Sequence, residues 1–145
     1  MTFRIATDQQ YMRPKVPTKK RRKRTPEQRK EDDHLNFIRT LPCVVCGSRE
    51  RVEAAHLRSG DREHGKPPAG MAQRPSHRWT TPLCARHHRE GDDAQHNMNE
   101  LMFWASHGID PFILCIRLWE ATGDVEAMQF VIRTARQYNA GKDER

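Results

Sequence analysis

Cysteine and histidine at ligand spacing are the first chemistry this sequence offers. Cys43 and Cys46 are separated by two valines and followed by Gly47. Two thiolates so placed can turn onto one ion, and glycine permits the tight turn. About 38 residues later Cys84 and His87 repeat the same spacing. Two such half-sites are the arrangement expected of structural zinc, and a Cys3His tetrahedron from Cys43, Cys46, Cys84 and His87 would tie the start of a fold to its end. Cys115 lies in the apolar run Phe112-Ile113-Leu114-Cys115-Ile116 with no partner at ligand spacing, and reads as a small buried hydrophobe.

Histidines outside that set point to a second, open centre. His56 ends the β-favouring piece Arg51-Val52-Glu53-Ala54-Ala55-His56-Leu57, and His88 directly follows His87. If the second half-site opens a helix, the rings of His87 and His88 point about 100° apart, so one can serve zinc while the other faces a neighbouring pocket. His96, eight residues on, could complete that pocket with His88, provided Gly91 does not end the helix first. An imidazole with an ordinary pKa of about 6.5 is largely neutral near pH 7, the state that accepts a proton or a metal ion. His34 and His107 read as surface residues, and His64 as part of a solvated loop.

These side chains need positioning elements, and the chain has little apolar material to build them. It has 145 residues, 35% of them hydrophobic, with a mean hydropathy of -0.97. So small a core usually needs a staple such as a metal. Thr25, Pro26 and Gln28 spell an N-cap, an N1 proline and a capping box, and Leu35, Phe37, Ile38 and Leu41 give a helical face running to about Thr40, where Pro42 stops it. From Cys43 to Leu83 the helical period gives way to short β-favouring pieces, Val44-Val45-Cys46 among them, and to a long loop over residues 59–76 punctuated by Gly60, Gly65, Gly70, Pro67, Pro68 and Pro75. Helices return over Asn97 to His107, with Met98, Leu101, Met102 and Ala105 inward. A second runs from the Asp110 cap and Pro111 to Gly123, and a third from the Asp124 cap has Val125, Met128, Val131, Ile132 and Ala135 inward. Trp104, Trp119, Phe103, Phe112 and Phe130 read as core.

Charge is concentrated at one end. The formal net charge is +7, yet residues 1–30 carry eleven Lys or Arg against Asp8 and Glu27 alone, so the remainder is slightly acidic. Lys19, Lys20, Arg21, Arg22, Lys23 and Arg24 form the densest run, in a stretch where like charges and prolines disfavour regular structure. The expected organisation is a disordered basic arm over residues 1–24 and a folded unit over 25–145, its core at about 41–107. A polyanion is the natural partner of such an arm, with binding that weakens steeply as salt rises. No apolar run approaches the roughly 20 residues needed to span a bilayer, nor does the start resemble a signal peptide, so the expectation is a soluble, cytoplasmic protein without a membrane partner. Free thiols fit that reducing compartment.

The order of these residues resembles the zinc-bearing HNH, or ββα-metal, endonucleases, and within them the small phage and prophage nucleases, including the phage recombination-enhancement nucleases. The likeness rests on Cys43-x-x-Cys46, Ala55-His56-Leu57-Arg58-Ser59-Gly60, Gly65-Lys66-Pro67-Pro68, Pro82-Leu83-Cys84-Ala85-Arg86-His87-His88 and Phe103-Trp104-Ala105-Ser106-His107-Gly108-Ile109-Asp110-Pro111, and covers roughly residues 41–112. It implies an α+β fold in which a small ββα core is stapled by structural zinc and flanked by helices. It also implies a bacterial or phage-infected host and DNA phosphodiester hydrolysis with low sequence specificity. By position, His56 would be the general base that activates water, and His88 would hold a catalytic Mg2+ or other divalent ion. Either His96 or Asp92, the latter in the acidic insertion Glu90-Gly91-Asp92-Asp93, would be its companion. Where the family has an asparagine that orients the base, this chain offers His77 or Trp79, of which His77 can hydrogen-bond an imidazole well. Where many members have a ligand just before the base, this chain has Ala55, so Glu53, Asp61 or His64 would have to serve. DNA is the partner the resemblance implies, with a recombinase such as RecA as a second, and a charge-driven arm leaves RNA open as well. The rival reading is a non-catalytic zinc module that binds nucleic acid or a recombination protein.

Overall fold

Thr25 opens the first helix, α1 (Pro26–Thr40), through a reciprocal pair: Gln28 N–H donates to Thr25 Oγ1 at 3.2 Å and Thr25 N–H donates to Gln28 Oε1 at 3.0 Å. Pro26 costs nothing at N1, where its missing N–H has no helical partner. The computed structural model describes residues 23–140; Lys19, Lys20, Arg21 and Arg22 of the basic arm lie outside it. Of the arm's last residues, Lys23 is exposed and Arg24 pairs with Asp32 on α1.

The inward side of α1 carries Ile38, with Leu41 just beyond the helix, and a residue expected on the surface: His34 is fully buried. It sits edge-on to Trp119, with ring centroids 5.1 Å apart. Its Nδ1 lies 2.6 Å from Thr122 Oγ1, whose own hydroxyl hydrogen goes to the Leu118 carbonyl at 3.2 Å, so the ring donates and Nε2 is left as a buried lone pair with no partner. Protonation would place an unpaired N–H there. Burial first, and then the charges of Lys30 and His77, push His34 down to about 4. Because this folded value lies below the unfolded value of about 6.5, the unfolded chain binds the extra proton between those limits. Stability is therefore fully present above about pH 6.5 and is lost as pH falls toward 4, by on the order of 3 kcal/mol from this residue. His34→Gln should be the less stable protein at pH 7 and should close that gap by pH 4.5 in urea unfolding. A constant gap across the range would contradict this origin.

After α1 the chain makes a knuckle. Val44-Val45-Cys46, expected to favour strand, is instead a turn: Cys43 N–H bonds Ser48 O and Gly47 N–H bonds Cys43 O, both at 2.8 Å. Gly47 has φ +76°, a left-handed conformation that favours glycine; a Cβ there would displace only the flexible end of Arg136. The backbone bonds that close the turn outweigh the β preference of two valines.

Two strands follow, β1 (Val52–His56) and β2 (Thr80–Cys84), antiparallel with Val52 opposite Cys84 and His56 opposite Thr80. The sequence did not reveal β2, because Pro82 lies at its centre. Proline is tolerated there because a two-stranded sheet has only edges, and the Pro82 carbonyl accepts from Val44 N–H at 3.0 Å, joining knuckle to sheet. All of β2 is buried, with α1 and the later helix α3 (Pro111–Glu120) packed near it.

Beyond β2 comes a π-helical turn (Arg86–Glu90), closed by Gly91 N–H to Arg86 O at 2.9 Å, then a short 3-10 turn (Gln95–Asn97) and α2 (Glu100–Ser106). The helix expected from Asn97 starts later because Asn99 is the cap, accepting from Met102 N–H at 3.1 Å. Its inward face also differs: Phe103 and Trp104 are buried, whereas Leu101 and Met102 are exposed. The larger aromatic rings win the interior because they remove more apolar area from water. Asp110 caps α3 as expected, accepting from Phe112 and Ile113 N–H at 2.9 and 3.1 Å. Asp124 accepts from Ala127 N–H at 3.0 Å at the start of α4 (Val125–Ala140). Met128 and Ile132 face the core, while Phe130, two residues and so about 200° around from each, is 63% exposed. Cys115 is buried, its thiol donating to the Thr80 carbonyl at 3.6 Å. The fold is thus α+β, a two-stranded sheet set among helices. Among the described residues no single helix is long and apolar enough to cross a membrane.

Candidate metal centre and histidine cleft

The knuckle, the end of β2 and the start of the π-helical turn bring four ligand atoms together. Cys46 Sγ lies 3.8 Å from Cys84 Sγ, Cys43 Sγ 3.8 Å from His87 Nδ1, and Cys84 Sγ 3.2 Å from the same nitrogen. All four atoms fall within 4.8 Å of one another. A tetrahedral zinc with bonds of about 2.3 Å to sulfur and about 2.0 Å to nitrogen has S–S edges of about 3.8 Å and S–N edges of about 3.5 Å, so the cluster has the size to hold such an ion. Cys43, Cys84 and His87 are buried and Cys46 is exposed. Burial pushes the Cys43 thiol up to about 11. Burial also acts against the Cys46 thiolate, but the Ser48 N–H and the neighbouring sulfurs outweigh it and hold that thiol below its usual value. An ion would remove the protons from all three sulfurs. His107, expected on the surface, is half-buried here, its ring edge-on to His87 with centroids 5.9 Å apart.

A few residues further on, a second group converges. His56, His88 and His96, with Arg58 and Arg74, line one open cleft of about 400 Å3. His56 is fixed by the backbone that follows it: the Glu100 carboxylate accepts from Arg58 N–H at 3.0 Å and Ser59 N–H at 2.6 Å, and Gln95 Nε2 donates to Glu100 at 2.8 Å and to the His56 carbonyl at 3.4 Å. His56 Nε2 lies 3.0 Å from His77 Nδ1. The His77 turn is itself held, its carbonyl accepting from Thr80 Oγ1 at 2.8 Å. Trp79, the other residue near that position, is buried in the core cluster. Desolvation, followed by the charges of His77, Arg74 and His88, lowers the His56 ring to about 4, so it is neutral at pH 7.

His88 points away from the cysteine cluster, as the angle between successive helical residues requires. Its Nδ1 lies 2.6 Å from Glu53 Oε2. Arg89 grips the same carboxylate with Nε at 3.1 Å and Nη2 at 2.8 Å, and Arg89 first, with His88, holds Glu53 down at about 2, fully ionised. The ionised carboxylate requires a proton on Nδ1, so in the neutral ring the lone pair lies on Nε2, the arrangement that orients metal-binding histidines. Gly91 does end the helical turn, yet His96 still reaches His88, with ring centroids 4.4 Å apart. Asn97 Nδ2 makes this possible by bonding the Arg89 carbonyl at 3.1 Å and the Gly91 carbonyl at 2.7 Å, which folds the 3-10 turn back.

Other candidates lie elsewhere. Ala55 is fully buried, so the strand has no room for a ligand at that position. Asp61 and His64 pair with each other, and the His64 ring stacks on Phe112, so of the three substitutes weighed for Ala55 it is Glu53 that touches a cleft histidine. Asp92 is exposed and does not line the cleft. Sequence reasoning missed Arg58 and Arg74 in the cleft lining and Arg89 on the Glu53 carboxylate, none of which carries a spacing signal of its own. Comparison with known proteins yields no matching family model, curated protein or solved structure.

Proposed function

We propose that this chain is a metal-dependent endonuclease that hydrolyses DNA phosphodiester bonds with little sequence preference, its cysteine cluster holding a structural zinc ion. The observation that carries this reading is a cleft that three histidines and two arginines line together. With His77 Nδ1 as the acceptor for His56 Nε2–H across their 3.0 Å contact, His56 Nδ1 would be free to take the proton of an attacking water. The same bond persists once His56 becomes an imidazolium, so no group has to reorient during the transfer. An incoming phosphodiester anion offsets the nearby positive charge and raises the proton affinity of His56 toward the useful range. Arg58 and Arg74 face the phosphate, and Glu53 fixes His88. A divalent ion such as Mg2+, held by His88 and His96, would supply charge neutralisation at the phosphate and the departing oxygen. The water oxygen bonds to phosphorus as the bond to that departing oxygen breaks. The basic arm would add sequence-independent affinity for the strand.

Supercoiled plasmid incubated with the protein and Mg2+ or Mn2+ tests this. Conversion to nicked circles that stops with EDTA is the expected result. Tight plasmid binding without nicking under any divalent ion would overturn it in favour of a non-catalytic zinc module, the reading that the buried Ala55 favours.

A further inference from the structure

A buried lysine beside the cleft has no task in the chemistry above. The loop that carries it is closed on itself: Asp61 and Lys66 exchange backbone hydrogen bonds of 2.8 Å, and Ala69 N–H bonds the Arg58 carbonyl at 3.0 Å. Gly60 packs so tightly that a Cβ would stand 2.6 Å from Pro68 N. This frame holds Lys66 at 3% exposure. Its ammonium has three hydrogens to donate, and among the described residues it makes one hydrogen bond, a long one of 3.3 Å to the Pro67 carbonyl. The Trp79 ring lies 5.8 Å away. Glu100, the carboxylate whose charge acts on Lys66, has its oxygens engaged by Arg58, Ser59 and Gln95. A buried ammonium left with unmet donors is costly unless an anion completes its shell.

The space for that anion is present. Lys66, Gln73, Arg74, Ser76 and Trp79 line a pocket of about 200 Å3, and Gln73 and Arg74 also line the histidine cleft, so the two are contiguous. The pocket is smaller than the roughly 300–1,000 Å3 that houses drug-sized ligands, which points to a compact group. Ser76 already donates to Glu31, so the free donors are those of Lys66, Arg74 and Gln73. Among the described residues no carboxylate is in the pocket lining, and Glu31 stands behind Ser76.

We infer that this pocket binds a phosphoryl group, that of the strand phosphate adjacent to the one at the histidine cleft. The strand assignment rests on the nuclease reading, while the phosphoryl site itself does not. The test uses the full chain without added divalent ion. Inorganic phosphate, followed by calorimetry, and a fluorescent mixed-sequence single-stranded oligodeoxynucleotide, followed by anisotropy, are titrated into the wild type, Lys66→Met and Arg74→Gln. Both ligands should weaken by roughly tenfold in each variant, the loss expected for one charge-assisted contact. Arg74 also lines the histidine cleft, so if Lys66→Met fails to fold it is Lys66→Gln, at a residue that lines this pocket and not the cleft, that carries the readout. Phosphate affinity that falls while oligonucleotide affinity stays level would overturn the strand assignment and give the site to a free phosphate. Unchanged binding of both ligands by a folded Lys66→Met, or by Lys66→Gln should the first not fold, would overturn the pocket altogether. Because turnover is never read, a chain that fails to nick plasmid can still pass or fail this test.

Discussion

His56→Ala should lower plasmid nicking by roughly 10²–10⁴-fold, the range associated with loss of a positioned general base, while bound zinc and the thermal midpoint stay near wild type. The side chain is half-buried at the cleft wall and is not part of the core cluster, so its removal costs little packing. His77 acts through His56 rather than on the phosphate, and its replacement separates orientation from packing. His77→Asn keeps an acceptor for His56 Nε2–H and should retain most activity, whereas His77→Leu should lose it and alter the pH profile. Equal losses in the two His77 variants would mean that the 3.0 Å contact does not set the tautomer.

Removing the ion from the cysteine cluster should unfold the domain. The knuckle, β2 and the π-helical turn meet at those four side chains, and Cys43 and Cys84 also belong to the domain's buried apolar cluster. Structural zinc contributes about 10–16 kcal/mol of apparent binding energy in small domains, at least as much as the roughly 5–15 kcal/mol of net stability that a protein of this kind possesses. Cys84→Ser should therefore abolish stoichiometric zinc and cooperative melting, read by elemental analysis and circular dichroism. Cys115→Ser is the control, since Cys115 contacts the Thr80 carbonyl and no ligand atom of the cluster, and it should keep one zinc per chain. A Cys84→Ser protein that melts like the wild type would contradict the stapling role.

The cluster was legible in the sequence because ligand spacing is a local property. Two residues between Cys43 and Cys46, and two between Cys84 and His87, dictate which side chains a turn can aim at one point. The capping box of α1 and the Asp110-Pro111 start of α3 were legible for the same reason. What escaped was set by partners distant in sequence. His34 looks polar and exposed until Thr122, 88 residues away, gives its Nδ1 an acceptor. The Glu53–His88 contact spans 35 residues and depends on how the π-helical turn docks beside β1. In α2 the periodicity allowed two inward faces, and packing chose Phe103 and Trp104. Pro82 disguised a strand whose position depends on the knuckle, and Lys66 gave no sign in a polar loop that it would be enclosed.

The most direct test of the two-centre account is anomalous diffraction from a crystal of the zinc-loaded protein soaked in Mn2+. It should place zinc among Cys43, Cys46, Cys84 and His87, and manganese on the side of His88 that faces away from Glu53, within reach of His96. Manganese bound only outside the cleft, or a cleft that stays free of metal at saturating Mn2+ while the cysteines hold their zinc, would contradict it.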